Sequence, residues 1–327
     1  MEFVPHDLLK DRPHIVVEGA RNEHTVLALS HWPGSNAPAP LRGDTSAEIV
    51  FNCLASPDRA RYLGDVQVVS SSAFSQDGAV AVWSLLNPEQ AMKRRDLLVD
   101  VATAGDFARY RDPLALKAAF TIAVFADPAV SPYRKELSGR SAAGLTGMLY
   151  ELLMFGLPDI LAHIDDYRDL WEEEFGHVRG SEALLKSGQA KIQEFPEVDL
   201  AVIESPEPLH PAAICSATDR LRVLTIHQGR YWLKYRYESW VQIASRPVLP
   251  RIDLDPLVTR LQVMETTPGT WTFDGIDNPT PNLCFVDEAG QPASSGLAKA
   301  HFLEEVRDFL KTHADDPAVQ WNPYKEK

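Results

Sequence analysis

Ala73-Phe74-Ser75-Gln76-Asp77-Gly78 has the frame of a metal-binding turn, His-x-Asp-x-Asp-Gly, with Ala73 and Ser75 in place of the imidazole and the first carboxylate. Such a turn works because alternate side chains of an extended segment face one side, where nitrogen and oxygen ligands converge on Mn²⁺ or Mg²⁺. Only Asp77 remains as a strong ligand, and Gly78 still allows the chain to turn into a helix. One carboxylate does not hold a catalytic ion tightly, so partners must come from elsewhere. Asp100 and Asp106 offer carboxylates. His31, in the loop His31-Trp32-Pro33-Gly34-Ser35, titrates near neutral pH and suits a replacement ligand or a general acid or base. Each has a plain alternative: Asp77-Gly78 as a helix-capping turn, Asp100 and Asp106 as loop acids or caps, His31 as a histidine bonded to backbone. Asp44 and Glu48 stand one helical turn apart, as paired carboxylates or, with Thr45, as a capping box.

Recognition of an anion calls for arginine and aromatic side chains. Arg236, with Arg246 and Arg251, suits a carboxylate or phosphate, Trp240 lies on the same stretch as Arg236, and His210 follows a proline-rich turn near a strand end. The stretch Gly139 to Gly147 has no P-loop lysine. The chain also lacks a dinucleotide-binding glycine fingerprint and a Gly-x-Ser-x-Gly nucleophile elbow.

The elements that must position these residues read as an α/β fold, a mostly parallel sheet flanked by helices with a smaller C-terminal α+β domain. Residues 15–17, 25–30, 66–70 and 97–101 predict strands; 47–54 and 79–86 predict helices between them. In such a sheet, sites lie beyond the carboxyl ends of strands, where this reading puts Asp77, Asp100 and Asp106. A mainly helical block, 113–191, completes a first domain over 1–195, and strand structure restarts at 200–203 in a second domain over 196–327. Segments 222–227 and 230–243 predict a hairpin about Gly229. Tyr231, Leu233, Tyr235 and Tyr237 form its core face; Trp232, Lys234, Arg236, Glu238 and Trp240 form either a solvated surface or a cleft wall. Helices are expected over 254–264 and 298–311, and the last dozen polar residues are expected to fray.

Composition narrows the function class. A formal charge of -14 over 327 residues disfavours binding to a nucleic-acid backbone, which relies on Lys and Arg, but leaves open a small anionic ligand held by local arginines. Cys53, Cys215 and Cys284 are odd in number and far apart, which fits a reducing cytoplasm rather than a disulfide framework. The first fourteen residues lack the basic and apolar order of a secretory signal. No run of about twenty apolar residues predicts a membrane span.

The turn, the helix after it and an Asp at the end of the next expected strand resemble the phosphoesterase superfamily named for its Asp-His-His motif. That resemblance implies a metal-dependent hydrolase with Asp77 as a remaining metal ligand, Asp100 or Asp106 as another, and a smaller C-terminal domain closing over the site. The sequence departs from the superfamily in having no Asp-His-His tripeptide. Over nearly its full length the chain is similar to an uncharacterised bacterial family of unknown function. The segments that carry this are His31-Trp32-Pro33-Gly34-Ser35, Asp44-Thr45-Ser46-Ala47-Glu48, Gln76-Asp77-Gly78, Gly105-Asp106-Phe107 and Arg236-Tyr237-Glu238-Ser239-Trp240. The expectation is a phosphoesterase-like hydrolase acting on a small phosphorylated or nucleotide-like molecule in an interdomain cleft. Asp77 and Asp106 would be ligands to Mn²⁺ or Mg²⁺, His31 the acid or base, and Arg236 the anion holder, with His210 and Trp240 beside the substrate. The rival, favoured by Ala73 and Ser75, is a non-catalytic small-molecule-binding protein with a degenerate metal site.

Overall fold

Apolar, β-branched runs too short for helices build the first sheet. In the computed structural model, which describes residues 1–322, its strands are β1 (Glu2–Phe3), β2 (His14–Val17), β3 (Thr25–Leu29) and β4 (Val68–Ser71). They lie in the order β1-β4-β2-β3 with every pair parallel. Val16, Val17, Ala28, Leu29 and Val69 are fully buried, as a sheet covered on both faces requires.

The helices of this part are α1 (Ser46–Ala55), α2 (Arg59–Leu63), α3 (Gln76–Leu86), α4 (Pro88–Met92), α5 (Arg95–Phe107), α6 (Pro113–Ala126), α7 (Arg134–Leu137), α8 (Ala142–Ala162) and α9 (Arg168–Ser187). Thr45 caps α1 by accepting the Glu48 N–H, and Ser75 caps α3 by accepting that of Gly78. Ser75 thus serves the helix start in the position where the metal turn would carry its first carboxylate. Ala79, Val80, Ala81 and Val82 of α3 are all fully buried, and α3 packs against α1 and α5.

One expectation fails here. Residues 97–101 are not a strand but the middle of α5. Leu98, Val101 and Ala102 are buried at i, i+3 and i+4, so the helical period governs a run that is apolar enough to resemble a strand. Asp100 and Asp106 are therefore helix residues.

Helix α8 is the one helix among the described residues long and apolar enough to cross a membrane by length and composition. About a third of its apolar stretch is buried, including Tyr150, Leu153, Leu157 and Ile160, while Phe155 is exposed.

The chain forms two compact units. The first is Met1–His177 with Gln242–Pro247; the second is Val178–Val241 with the chain from Val248 onward. Residues 178–195, which end the first expected domain, belong to the second unit and include β5 (Lys191–Phe195). The other strands of that unit are β6 (Leu200–Glu204), β7 (Arg222–His227), β8 (Arg230–Tyr235), β9 (Arg251–Ile252), β10 (Thr270–Phe273), β11 (Asn282–Val286) and β12 (Gln320–Trp321). With β5, five of these form a six-stranded mixed sheet, β10-β11-β8-β7-β6-β5, in which only β6 and β7 run parallel. Gln228 and Gly229, both with positive φ, make the two-residue turn of the β7–β8 hairpin.

The helices of the second unit are the part of α9 from Val178 onward, α10 (Pro211–Ala217), α11 (Asp255–Met264) and α12 (Lys299–Thr312). Tyr231, Leu233 and Tyr235 face the core as their alternation requires, and Tyr231 and Trp271 stack on Phe302 from α12. The strand ends at Tyr235 rather than 243, however, and Tyr237 lies half-buried in a 3₁₀ turn while Arg236 and Glu238 are buried. Part of the polar tail is ordered rather than frayed, since β12 pairs with β9; residues 323–327 lie outside the described residues.

Candidate metal centre

Three parallel strands and one helix end deliver four side chains to a single point. Glu18 follows β2 directly, His31 lies two residues past β3, Asp77 opens α3 after β4, and Asp106 is the penultimate residue of α5. One ligand atom from each lies within 4.8 Å of the others. The first three stand beyond the carboxyl ends of adjacent parallel strands, where such sheets place their sites.

Each group is oriented by the chain around it. Glu18 has a positive φ of 43°, uncommon for a residue with a side chain. The next residue is glycine, and a Cβ on Gly19 would come within 2.2 Å of Ser72 Oγ and 3.0 Å of the Ser72 backbone nitrogen, so its absence lets the chain pass close to the loop after β4. Trp32 Nε1 donates to Glu18 Oε1 at 2.8 Å and Ser46 Oγ to Oε2 at 2.6 Å. Both Asp77 oxygens accept backbone N–H groups at the start of α1, from Ser46 and Ala47, at 2.6 Å each. A helix N-terminus favours a carboxylate in that place.

His31 Nδ1 lies 2.6 Å from the Asp44 carbonyl oxygen. A carbonyl only accepts, so Nδ1 carries the proton. In the neutral ring the lone pair is then on Nε2, which faces Glu18 Oε2 at 3.1 Å, Asp106 Oδ2 at 3.4 Å and Asp77 Oδ2 at 3.8 Å. A lone pair aimed at three carboxylates demands a positive charge between them, either a proton or a metal ion.

The proton affinities carry the same message. Burial alone would depress His31, but Glu18, Asp77 and Asp106 raise it to about 10. Burial, reinforced by the charge of Glu18, raises Asp77 to about 8 against the opposing effects of His31 and the Ala47 N–H. Burial opposes ionisation of Glu18 too, yet His31 and the hydrogen bonds from Ser46 and Trp32 prevail and hold it low. The side chains are almost sealed from solvent, with exposures of 0% for His31 and Asp77, 4% for Glu18 and 6% for Asp106. Three carboxylate donors and one imidazole form an oxygen-rich set that could hold a divalent metal ion.

Of the residues singled out in the sequence, His31, Asp77 and Asp106 meet here and Asp100 does not. Asp100 is buried in α5 with its oxygens accepting the backbone N–H groups of Arg111 and Asp112, so it fixes the loop that leads into α6. Arg236, His210 and Trp240 belong to the second unit. There the buried Arg236 guanidinium pairs with the buried Glu238 carboxylate and donates to the Thr218 carbonyl, a structural use in place of anion holding. His210 caps α10 by accepting the Ala212 N–H, and Trp240 Nε1 donates to the Asp277 carbonyl. Arg251 spends its donors on the carbonyls of Ile276, Asn278 and Pro279. Glu18 is the member that the sequence reading missed. An acid directly after the first expected strand, followed by glycine, was the available signal.

No curated protein matches the chain. Among solved structures, the crystal structure of RecJ in complex with Mn²⁺ from Thermus thermophilus aligns with 88% of this chain and 35% of its own, at 14% identity and a TM-score of 0.27. The chain thus spans about a third of that protein's length, and the score is too low to support a common fold. The sequence model of one family matches residues 1–321, nearly the whole chain, and by that match the protein belongs to the family of unknown function DUF6687.

Proposed function

We propose that this protein binds a divalent metal ion, Mn²⁺ or Mg²⁺, on Glu18, His31, Asp77 and Asp106, and uses it to hydrolyse a small phosphorylated molecule. The observation that carries the reading is the convergence of one imidazole nitrogen and three carboxylates within 4.8 Å at the carboxyl edge of a parallel sheet. When bound, such an ion supplies a water of lowered pKa and polarises a phosphoryl oxygen. The protein's part is to present His31 Nε2 in the ligating tautomer through the Asp44 carbonyl, and to hold Asp77 against the start of α1. His31 and Asp77, whose proton affinities are raised, would give up protons to ligate such an ion.

The near-complete burial of all four side chains favours a second reading, an ion held without turnover in a small-molecule-binding protein. Hydrolysis of p-nitrophenyl phosphate and bis(p-nitrophenyl) phosphate by metal-stripped protein, titrated with Mn²⁺, separates the two. Turnover that needs Mn²⁺ and disappears in Asp106→Asn is the expected result. Tight Mn²⁺ binding without turnover on these or other small phosphate esters leaves the second reading; absence of binding overturns both.

A further inference from the structure

A short strap of the chain ends on the residues that aim the imidazole. Residues Gln242–Pro247 belong to the first unit although the chain on either side of them belongs to the second. The Gln242 N–H donates to the His31 carbonyl at 2.7 Å. The N–H groups of Ala244 and Ser245 both donate to Asp44 Oδ1 at 2.8 Å. Asp44 in turn gives its own carbonyl to His31 Nδ1, while its N–H donates to Glu48 Oε2 at 2.7 Å. One residue therefore grips the strap with its carboxylate and the imidazole with its backbone.

We infer that Asp44 is a positioning residue for the metal centre, and that through it the Gln242–Pro247 strap is tied to occupancy of the site. The inference rests on the metal-binding reading above. Its physical basis is the effect of a partner on the far nitrogen of a ligating histidine: a carbonyl accepting from Nδ1–H fixes the ring and raises the donor strength of Nε2. An ion drawing on Nε2 makes Nδ1–H a stronger donor and tightens its bond to the Asp44 carbonyl. With that carbonyl held, the Asp44 carboxylate and the two N–H groups on it are held as well. Coupling of this kind is reciprocal, so loosening the strap must weaken the ion as much as the ion steadies the strap.

Asp44→Ala removes the strap's acceptor and leaves the carbonyl in the chain. Asp44→Asn keeps an Oδ1 that can accept both N–H groups. Two measurements decide: Mn²⁺ affinity by calorimetry, and hydrogen exchange of the 242–247 amides with and without Mn²⁺. In the wild type, Mn²⁺ should slow exchange at Ala244 and Ser245. Asp44→Ala should lose that protection and bind Mn²⁺ measurably more weakly, by less than the roughly 10- to 100-fold that loss of the carbonyl itself would cost, with Asp44→Asn restoring most of both. Wild-type binding with an unchanged affinity in folded Asp44→Ala overturns the inference and leaves the metal site standing. If Asp44→Ala does not fold, the wild-type exchange decides, since strap amides indifferent to bound Mn²⁺ also overturn it. A wild type that binds no Mn²⁺ removes the inference together with the reading beneath it.

Discussion

Glu18, Asp77, Asp106 and His31 occupy a space in which their charges cannot be independent. Without an ion, protons supply the missing positive charge, and their number sets the pH behaviour. His31, raised to about 10, and Asp77, raised to about 8, both keep protons in the folded state that the unfolded chain releases at their ordinary values. The native state therefore binds more protons than the unfolded one from about pH 5 to about pH 10, and stability falls as pH rises through that range. Glu18 has the opposite sign, but its contribution is complete above the ordinary carboxylate range. The melting temperature of metal-stripped protein should accordingly drop between about pH 6 and about pH 9. Mn²⁺ affinity should rise over about pH 6 to 8, by up to about two logarithmic units per pH unit as up to two protons are displaced. Calorimetry in buffers of different ionisation enthalpy counts those protons; a flat affinity with no proton release would show that the ion binds elsewhere. At this scale the sequence was partly legible. Asp77, Asp106 and His31 could be named from residue type and neighbours, whereas Glu18 is marked only by its place after a strand, and the role of the Asp44 carbonyl is invisible because any residue carries one.

Helix α3 connects the site to its support, because its first turn holds Asp77 and the same turn must pass close to α8. Gly78 makes the passage possible: a Cβ there would fall 2.4 Å from Tyr150 Oη and 3.3 Å from Glu18 Cβ. Tyr150 cannot easily give way, being buried against Phe3 and Phe74 with its hydroxyl donating to the Ala73 carbonyl. Alanine favours a helix over glycine by about 1 kcal/mol, yet Gly78→Ala should destabilise the protein by about 1–3 kcal/mol through overpacking. Removing the hydroxyl in Tyr150→Phe should recover part of that loss, and a double-mutant cycle followed by denaturant unfolding measures it. Additive effects of the two changes would contradict the contact. Elements with clear β-branched runs or capping signals, such as β2, β3, α1 and α3, were legible in the sequence. Residues 97–101 were not, since five residues of mixed apolar character fit a strand and a helix alike. Only the burial of Leu98, Val101 and Ala102 on one face decides for the helix, and that error moved Asp100 to a strand end it does not occupy.

Across the whole molecule, the first unit is built on the parallel sheet and the second on the mixed sheet. The four proposed ligands all lie in the first, so an ion bound there acts on the stability of that unit. Which arginine or aromatic residue meets a substrate was not legible in the sequence. Arg236 looks like an anion holder until its buried partner Glu238 is seen, and a carboxylate two residues away is no sign of burial by itself. The most direct test is thermal unfolding of metal-stripped protein at about pH 8 over a series of Mn²⁺ concentrations, comparing wild type with Glu18→Gln. Glutamine keeps an oxygen for Trp32 Nε1 and offers an N–H to a reoriented Ser46 hydroxyl, so the fold should survive the loss of charge. A ligand specific for the native state adds about 2.7 kcal/mol at a hundred times its dissociation constant. The expected result is a wild-type melting temperature that climbs with the logarithm of Mn²⁺ concentration and a folded Glu18→Gln protein that does not respond. No shift in the wild type, or an equal shift in Glu18→Gln, would contradict a metal centre at Glu18, His31, Asp77 and Asp106.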